Sequence, residues 1–337
     1  MEKFETPGQS LRRALAANHR YLISLVEAEV IANPECRVLD YGSGYGQVVF
    51  ALREMGIEAY GVETFYGGEE HQQLAAVRDR DPDSQVVLLI QKGRLPFPDN
   101  YFDLVLSNQV FEHVADLGQA LEELERVTKP SGKMVSLFPS RDVLIEWHLR
   151  LPLVHWIPRR SRLRRWLTWA LRSVGFGAEF WGGSFDEWFL NAFRFLDNDV
   201  FYRKYSEVLE DYDPFFTVSH IEDQWLEFRI PRTRPLFHIP GFRRFARLLV
   251  REIGGMVILS HPRKPQAGMD PHQRRTLENG RRRRLASGRL SRTNRMMMVP
   301  AHLEAPVRNL AHRGGATYGQ EGIGRHQWLR LTATERS

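Results

Sequence analysis

Short apolar runs alternate with amphipathic stretches along residues 37–138, a pattern that predicts parallel strands joined by helices. Val38 and Leu39 form the end of a buried strand that Asp40 closes, and Gln47–Met55 has helical character. Ala59–Val62 is the next apolar run and ends at Glu63. Residues 68–80 predict a polar helix, and DPDS at 81–84 a turn. Val86–Ile90 is wholly apolar and short, which predicts a central parallel strand. Leu104–Leu106 predicts a further buried strand. Residues 116–128 predict a helix with Leu117, Leu121, Leu124 and Val127 on one face. Upstream, Leu11, Leu15, Leu22, Leu25, Val26 and Ile31 recur at helical spacing across 9–32, and Asn33-Pro34 stops that helix.

The candidate chemistry sits where strands end. Gly42, Gly44 and Gly46 follow Asp40 at a spacing of two. Glycine there permits positive φ and lets a ligand approach the backbone. The helix that follows aims its first amide donors at the same place. Glu63 ends the next strand, about 20 residues on, where a carboxylate can accept both hydroxyls of a ribose. The run after Leu104–Leu106 brings Ser107, Asn108 and Gln109 to the same sheet edge. In open α/β sheets that edge binds ligands.

Three segments carry a family resemblance. VLDYGSGYG…GVE resembles the class I S-adenosylmethionine-dependent methyltransferases, small-molecule type. LPFPDNYFDLVLSNQVFEHV (95–114) is similar to that family's LPF-D-SFD-V-S…EHV block, and KPSGKMVSLF (129–138) to its KPGG turn and following strand. The resemblance is dense over 37–140. It is thinner over 200–260, where YRKYSEVLEDY, FTVSHIEDQWLEFRI and GGMVILS are expected to supply the last helix and two strands, closed by Lys264-Pro265.

The fold it implies is α/β: a doubly wound, mostly parallel seven-stranded Rossmann-like sheet with helices on both faces and an inserted helical cap. Residues 1–264 would form the domain. The implied cofactor is S-adenosylmethionine, with the leading helix over it. Asp40 is expected near the methionine amine, Gly42, Gly44 and Gly46 in the cofactor turn, Glu63 on the ribose and Asn108 on the methionine side. Gln91 stands where the family often has an Asp that accepts from the adenine amine; a Gln carbonyl can do the same. The reaction implied is in-line displacement of the activated methyl by an acceptor atom, expected to be oxygen, with the protein supplying orientation. His113 is the candidate general base and Glu112 its partner; the alternative is a His that only orients the loop. Some quinone-type enzymes of this class carry a divalent ion on an E-V-x-E-H arrangement. Here QVFEH puts Gln109 in place of the first carboxylate, and no metal site is predicted.

Residues 141–200 are additional to that pattern and hold six of the eight tryptophans. Within them Leu163, Trp166, Leu167, Ala170, Leu171 and Val174 share one helical face, with Arg162, Arg165, Trp169 and Arg172 opposite. Two readings stand. One is a cap packing its apolar face on the sheet. The other is an interfacial helix, 159–172, whose arginines meet phosphates or anionic lipid, a peripheral membrane contact. Inserts at this point in the family build the acceptor pocket, so a small-molecule, glycan or lipid-linked acceptor is expected.

Composition changes the picture in two places. The net charge of the chain is +6. Residues 265–337 carry 14 Arg, no Lys and 5 acidic residues, or +9, which leaves −3 for residues 1–264. The basicity therefore belongs to an Arg-rich tail too poor in apolar residues to order itself, and RRRR at 281–284 could touch nucleic acid or membrane. The single cysteine, Cys36, excludes an internal disulfide and fits a reducing compartment. With no apolar run in MEKFETPGQS suited to a signal peptide and no run of about 18 apolar residues, the expected location is cytoplasmic. Three other functions compete. A nicotinamide-dependent dehydrogenase is disfavoured by GxGxG in place of GxGxxG. A nucleic-acid methyltransferase using the Arg-rich tail is an alternative, although SNQV where (N/D)PPY would stand counts against its amino-methylating DNA subtype. A non-catalytic cofactor-binding module on the same fold remains an alternative.

Overall fold

The protein is described from a computed structural model, over residues 15–64, 70–90, 93–159, 161–179 and 182–264. Its sheet strands are β1 (Arg37–Tyr41), β2 (Glu58–Glu63), β3 (Val87–Leu89), β4 (Phe102–Asn108) and β5 (Thr128–Phe138), followed after a small hairpin by β8 (Phe216–His220) and β9 (Met256–Pro262). The hairpin strands are β6 (Ile145–Glu146) and β7 (Leu151–Pro152). The helices are α1 (Ala17–Ala32), α2 (Gln47–Glu54), α3 (Glu70–Arg80), α4 (Leu117–Val127), α5 (Arg162–Ser173), α6 (Phe185–Asn198), α7 (Tyr205–Tyr212), α8 (Glu222–Arg229) and α9 (Phe242–Ile253).

The seven-stranded sheet runs β3-β2-β1-β4-β5-β9-β8. β1 to β5 pair in parallel, and β9 is antiparallel to both of its neighbours. This is the mostly parallel, doubly wound α/β sheet that the pattern implies.

Both faces of the sheet are covered, and side-chain alternation divides them. Leu39, Val105, Met134 and Ile258 face one core with Leu117, Leu121, Leu124 and Val127 of α4 and Tyr212 of α7. Val38, Leu104, Leu106, Val135 and Val257 face the other, with Leu22, Ile23 and Val26 of α1 and Val48, Val49 and Leu52 of α2. The α4 face read from sequence is therefore a core face. Lys264 closes the unit: its Nζ donates to the backbone oxygens of Arg126 and Thr128 at 2.8 and 2.7 Å.

Three expectations are corrected. Val86–Ile90 does not supply a central strand. Only Val87–Leu89 is extended; it pairs with β2 alone, at the sheet edge, and Leu89 is exposed. Its position is set by Asp81, whose carboxylate accepts the amides of Gln85, Val86 and Val87. The expected apolar face of α5 is not its buried face either. Arg164 and Thr168 are buried, Leu167 and Leu171 partly so, whereas Leu163, Trp166 and Val174 are exposed. Arg164 is seated by Asp197 and lies 3.9 Å over the Phe193 ring, so a paired cation occupies the seat that apolar periodicity assigned to the stripe. Finally, α9 was not expected, although Phe242, Ala246, Leu249, Val250 and Ile253 are helically spaced.

The insert has its own core, built from Leu149, Leu151, Val154, Trp188, Ala192, Phe193, Leu196 and Val200. The tail, 265–337, lies outside the described residues, as does the part of the expected 9–32 helix before residue 15; the described helix begins at Ala17.

Candidate active site

β1, β2 and β4 bring their carboxyl ends to one edge, in register at Asp40↔Gly61, Asp40↔Leu106 and Tyr41↔Ser107. Asp40, the glycine turn, Glu63 and Asn108 therefore sit together. Asp40 is buried; desolvation, then the nearby Glu63 carboxylate, push it up to about 7. A cationic ligand group beside it would reverse that shift. Glu63 Oε2 accepts the Gly44 amide at 2.8 Å, and Oε1 accepts the Thr64 amide at 2.8 Å. The carboxylate is thus fixed by backbone, and the Thr64 hydroxyl also donates to Oε1 at 3.4 Å.

The three glycines answer different needs. A Cβ on Gly42 would lie 2.3 Å from a Val110 methyl, and one on Gly46 2.6 Å from the Phe50 ring. Around Gly44 nothing lies within 4 Å. Gly42 and Gly46 are close packed, and Gly44 is the open face of the turn. All three have positive φ.

Asn108 is engaged from the leading helix. Asn18 Nδ2 donates to Asn108 Oδ1 at 3.1 Å, and Trp225 Nε1 of α8 donates to Asn18 Oδ1 at 3.2 Å. Neither Asn18 nor Trp225 has a motif signal in the sequence. Gln91 lies outside the described residues.

After β4 the chain turns through Gln109, at φ +57, whose amide donates to Leu137 O at 2.7 Å. A short 3₁₀ turn, Phe111–His113, follows. The segment after α6 clamps this turn. Phe201 N donates to Glu112 O, Arg203 donates to Val114 O and Ala115 O, and His113 Nδ1 donates to Asp199 O at 2.7 Å. Burial, with a like-charge contribution from His148, lowers His113 to about 4, so its imidazole is neutral at pH 7. Glu112 is fully buried and is raised by desolvation to about 7.

His148 and Glu146, from the insert, complete the cluster. His148 Nδ1 lies 2.8 Å from Glu146 Oε1, which also accepts Tyr202 Oη–H at 2.6 Å. Burial opposes the charge on both, yet their pairing holds Glu146 below and His148 above the usual values. Sequence reasoning missed His148, Glu146 and Tyr202, because no motif covers the insert and only the tertiary fold brings them to the EH turn.

A methyltransferase-domain family model matches residues 39–136. Over those residues the chain resembles a class I S-adenosylmethionine-dependent methyltransferase domain. A demethylmenaquinone methyltransferase of Deinococcus radiodurans is 34% identical over 141 residues, 40% of this chain and 57% of that protein. A ubiquinone/menaquinone biosynthesis C-methyltransferase of Burkholderia orbicola is 33% identical over 125 residues, 36% of this chain and 51% of that one. The chain thus spans little more than half the length of these relatives. A solved Pyrococcus horikoshii protein is 19% identical, with a TM-score of 0.41, over 74% of this chain and 93% of its own. The cofactor of that family is S-adenosylmethionine, and within the matched residues lie a buried carboxylate, an open glycine turn and a backbone-fixed Glu63. The insert lies beyond the residues that the family model matches.

Proposed function

We propose that this protein transfers a methyl group from S-adenosylmethionine to a small-molecule acceptor with a lipid or isoprenoid part. The observation that carries the transfer is the Gly44 amide–Glu63 carboxylate contact at 2.8 Å, which joins the turn and the ribose-type acid into one cradle beside buried Asp40. In this reading Asp40 meets the methionine amine, Gly42, Gly44 and Gly46 shape the turn, Glu63 takes the ribose hydroxyls and Asn108, held by Asn18, borders the methionine side. Gln91 keeps its proposed place at the adenine. The bound cofactor supplies an already activated methyl on sulfur; the chain aligns an acceptor in line with it and excludes water.

Residues 1–264 would form the working unit, with 141–200 as the acceptor-binding cap. The apolar character of the acceptor is supported by what the insert exposes: Trp156, Leu163, Trp166, Trp169 and Val174 are all more than two-fifths exposed. Arginines on the same helix, Arg162 and Arg165, suit a phosphate or an anionic membrane surface. Among the described residues no helix is long and apolar enough to cross a membrane, so any such contact would be peripheral. The names of the two curated relatives, for demethylmenaquinone and for ubiquinone/menaquinone biosynthesis, support a quinol-type acceptor.

In this reading His113 acts as base toward an oxygen acceptor, which is supported by its Nδ1–H donation to Asp199 O, leaving the lone pair on Nε2. Carbon is the second reading, favoured by the C-methyltransferase name of one relative. The test is incubation with S-adenosylmethionine labelled with carbon-13 in the methyl, and isoprenoid phenols and quinols as acceptors. Labelled product supports the reading, and the methyl carbon shift separates oxygen from carbon. Cofactor binding without transfer to any acceptor of this class would favour the non-catalytic module.

A further inference from the structure

Glu112 is the anomaly of the site. Both carboxylate oxygens are buried and neither has a hydrogen-bond partner, although the residue is 2% exposed. An unpaired buried carboxylate is costly, and such groups are normally paired or coordinate a metal. Two imidazoles face it. One ligand atom each from Glu112, His113 and His148 all lie within 4.8 Å of one another, and the two rings meet at 80°.

The far side of each ring is already committed. His113 Nδ1–H is donated to the Asp199 carbonyl, and His148 Nδ1 is held by the Glu146 carboxylate. Nε2, on the opposite edge of each ring, is the nitrogen a metal ion would take. Glu146 is itself held by Tyr202 Oη–H and by the Leu149 amide. An imidazole oriented by a carbonyl or a carboxylate on its other nitrogen is how metal-ligating histidines are usually supported.

From this geometry we propose that Glu112, His113 and His148 bind one divalent first-row transition metal ion. The third donor comes from the insert, not from position 109, where the Gln109 side chain is turned back to Leu137 O. Two imidazoles and one carboxylate suit zinc, iron, manganese or cobalt rather than the all-oxygen preference of magnesium or calcium. Bonds of about 2.1 Å set donors about 3.4 Å apart in a tetrahedral site, so the three side chains would draw together on binding. Three protein donors leave further positions open, at the boundary between the EH turn and the insert. His113 is then a ligand rather than a free base, and the ion ties residue 148 to the end of β4.

The test does not depend on the methyl-transfer reading. The tag-free full chain, stripped with chelator, is titrated with Co²⁺ by visible absorption and with Zn²⁺ by calorimetry; S-adenosylmethionine is titrated separately into the same metal-free sample. The proposal expects one equivalent of metal, with affinity lowered at least about tenfold in Glu112→Gln and His148→Ala. Glu146→Gln, which keeps all three donors, should weaken binding about 10- to 100-fold, and exposed His238→Ala should leave it unchanged. Circular dichroism identifies any variant that fails to fold, in which case Glu146→Gln decides. No stoichiometric metal binding, or equal affinity in folded Glu112→Gln and His148→Ala, would overturn the site: the cluster would then be a proton-sharing carboxylate–imidazole pair. Loss of S-adenosylmethionine binding alone would sink the methyl-transfer reading and leave the metal site standing.

Discussion

Gly42 and Gly44 are two residues apart and identical in the motif, yet they should respond differently to the same substitution. Gly42→Ala forces a methyl onto Val110 at positive φ, adding overpacking to left-handed strain; roughly 2 kcal/mol or more of stability should be lost, read by denaturant unfolding. Gly44→Ala meets nothing, so it should cost about 1 kcal/mol from strain alone and show its main effect on cofactor affinity. Asp40 gives a pH signature. Its folded value, raised to about 7, means that it adds stability below the unfolded carboxylate value near 4. That contribution is lost as pH rises through about 7. In cofactor-free protein, Asp40→Asn should therefore melt higher than wild type at pH 8, and the difference should shrink toward pH 5. Equal melting temperatures at pH 8 would contradict the buried charge. The roles proposed for Asp40, Glu63 and Asn108 came from strand ends and a motif. Asn18 and His148 could not, because each meets the site only through tertiary contacts with residues about 90 and 35 positions away (Asn108 and His113).

Elements were legible where burial follows period. α4 and the alternating residues of β4 and β5 pack as their apolar spacing dictates. β3 and α5 were misread for one reason: polar residues do the seating. Asp81 accepts three backbone amides to fix β3, and Asp81→Ala should cost about 1–3 kcal/mol by leaving them unpaired, measurable as a lowered urea midpoint. In α5 the buried Arg164–Asp197 pair turns the Trp166 side outward. Co-sedimentation with anionic vesicles is therefore expected for the wild-type chain and should fall in Trp166→Ala/Trp169→Ala. Unchanged sedimentation would remove the proposed membrane contact and leave a surface helix.

At the scale of the molecule, strand–turn–helix repetition made the doubly wound sheet readable from 37 to 140. Only strand pairing could show that β9 enters between β5 and β8. The insert's separate core pairs the helically spaced Trp188, Ala192, Phe193 and Leu196 of α6 with Leu149, Leu151 and Val154 from short irregular segments, which no single period links. The central claim is that the edge formed by Asp40, Gly44 and Glu63 binds S-adenosylmethionine, and calorimetry tests it most directly. Titration of S-adenosylmethionine and its demethylated product into the wild-type chain and Glu63→Ala should show micromolar binding of both. In the variant it should weaken by about tenfold or more, roughly 1.4 kcal/mol. Absence of binding to the folded wild type, or equal affinity in Glu63→Ala, would contradict the account.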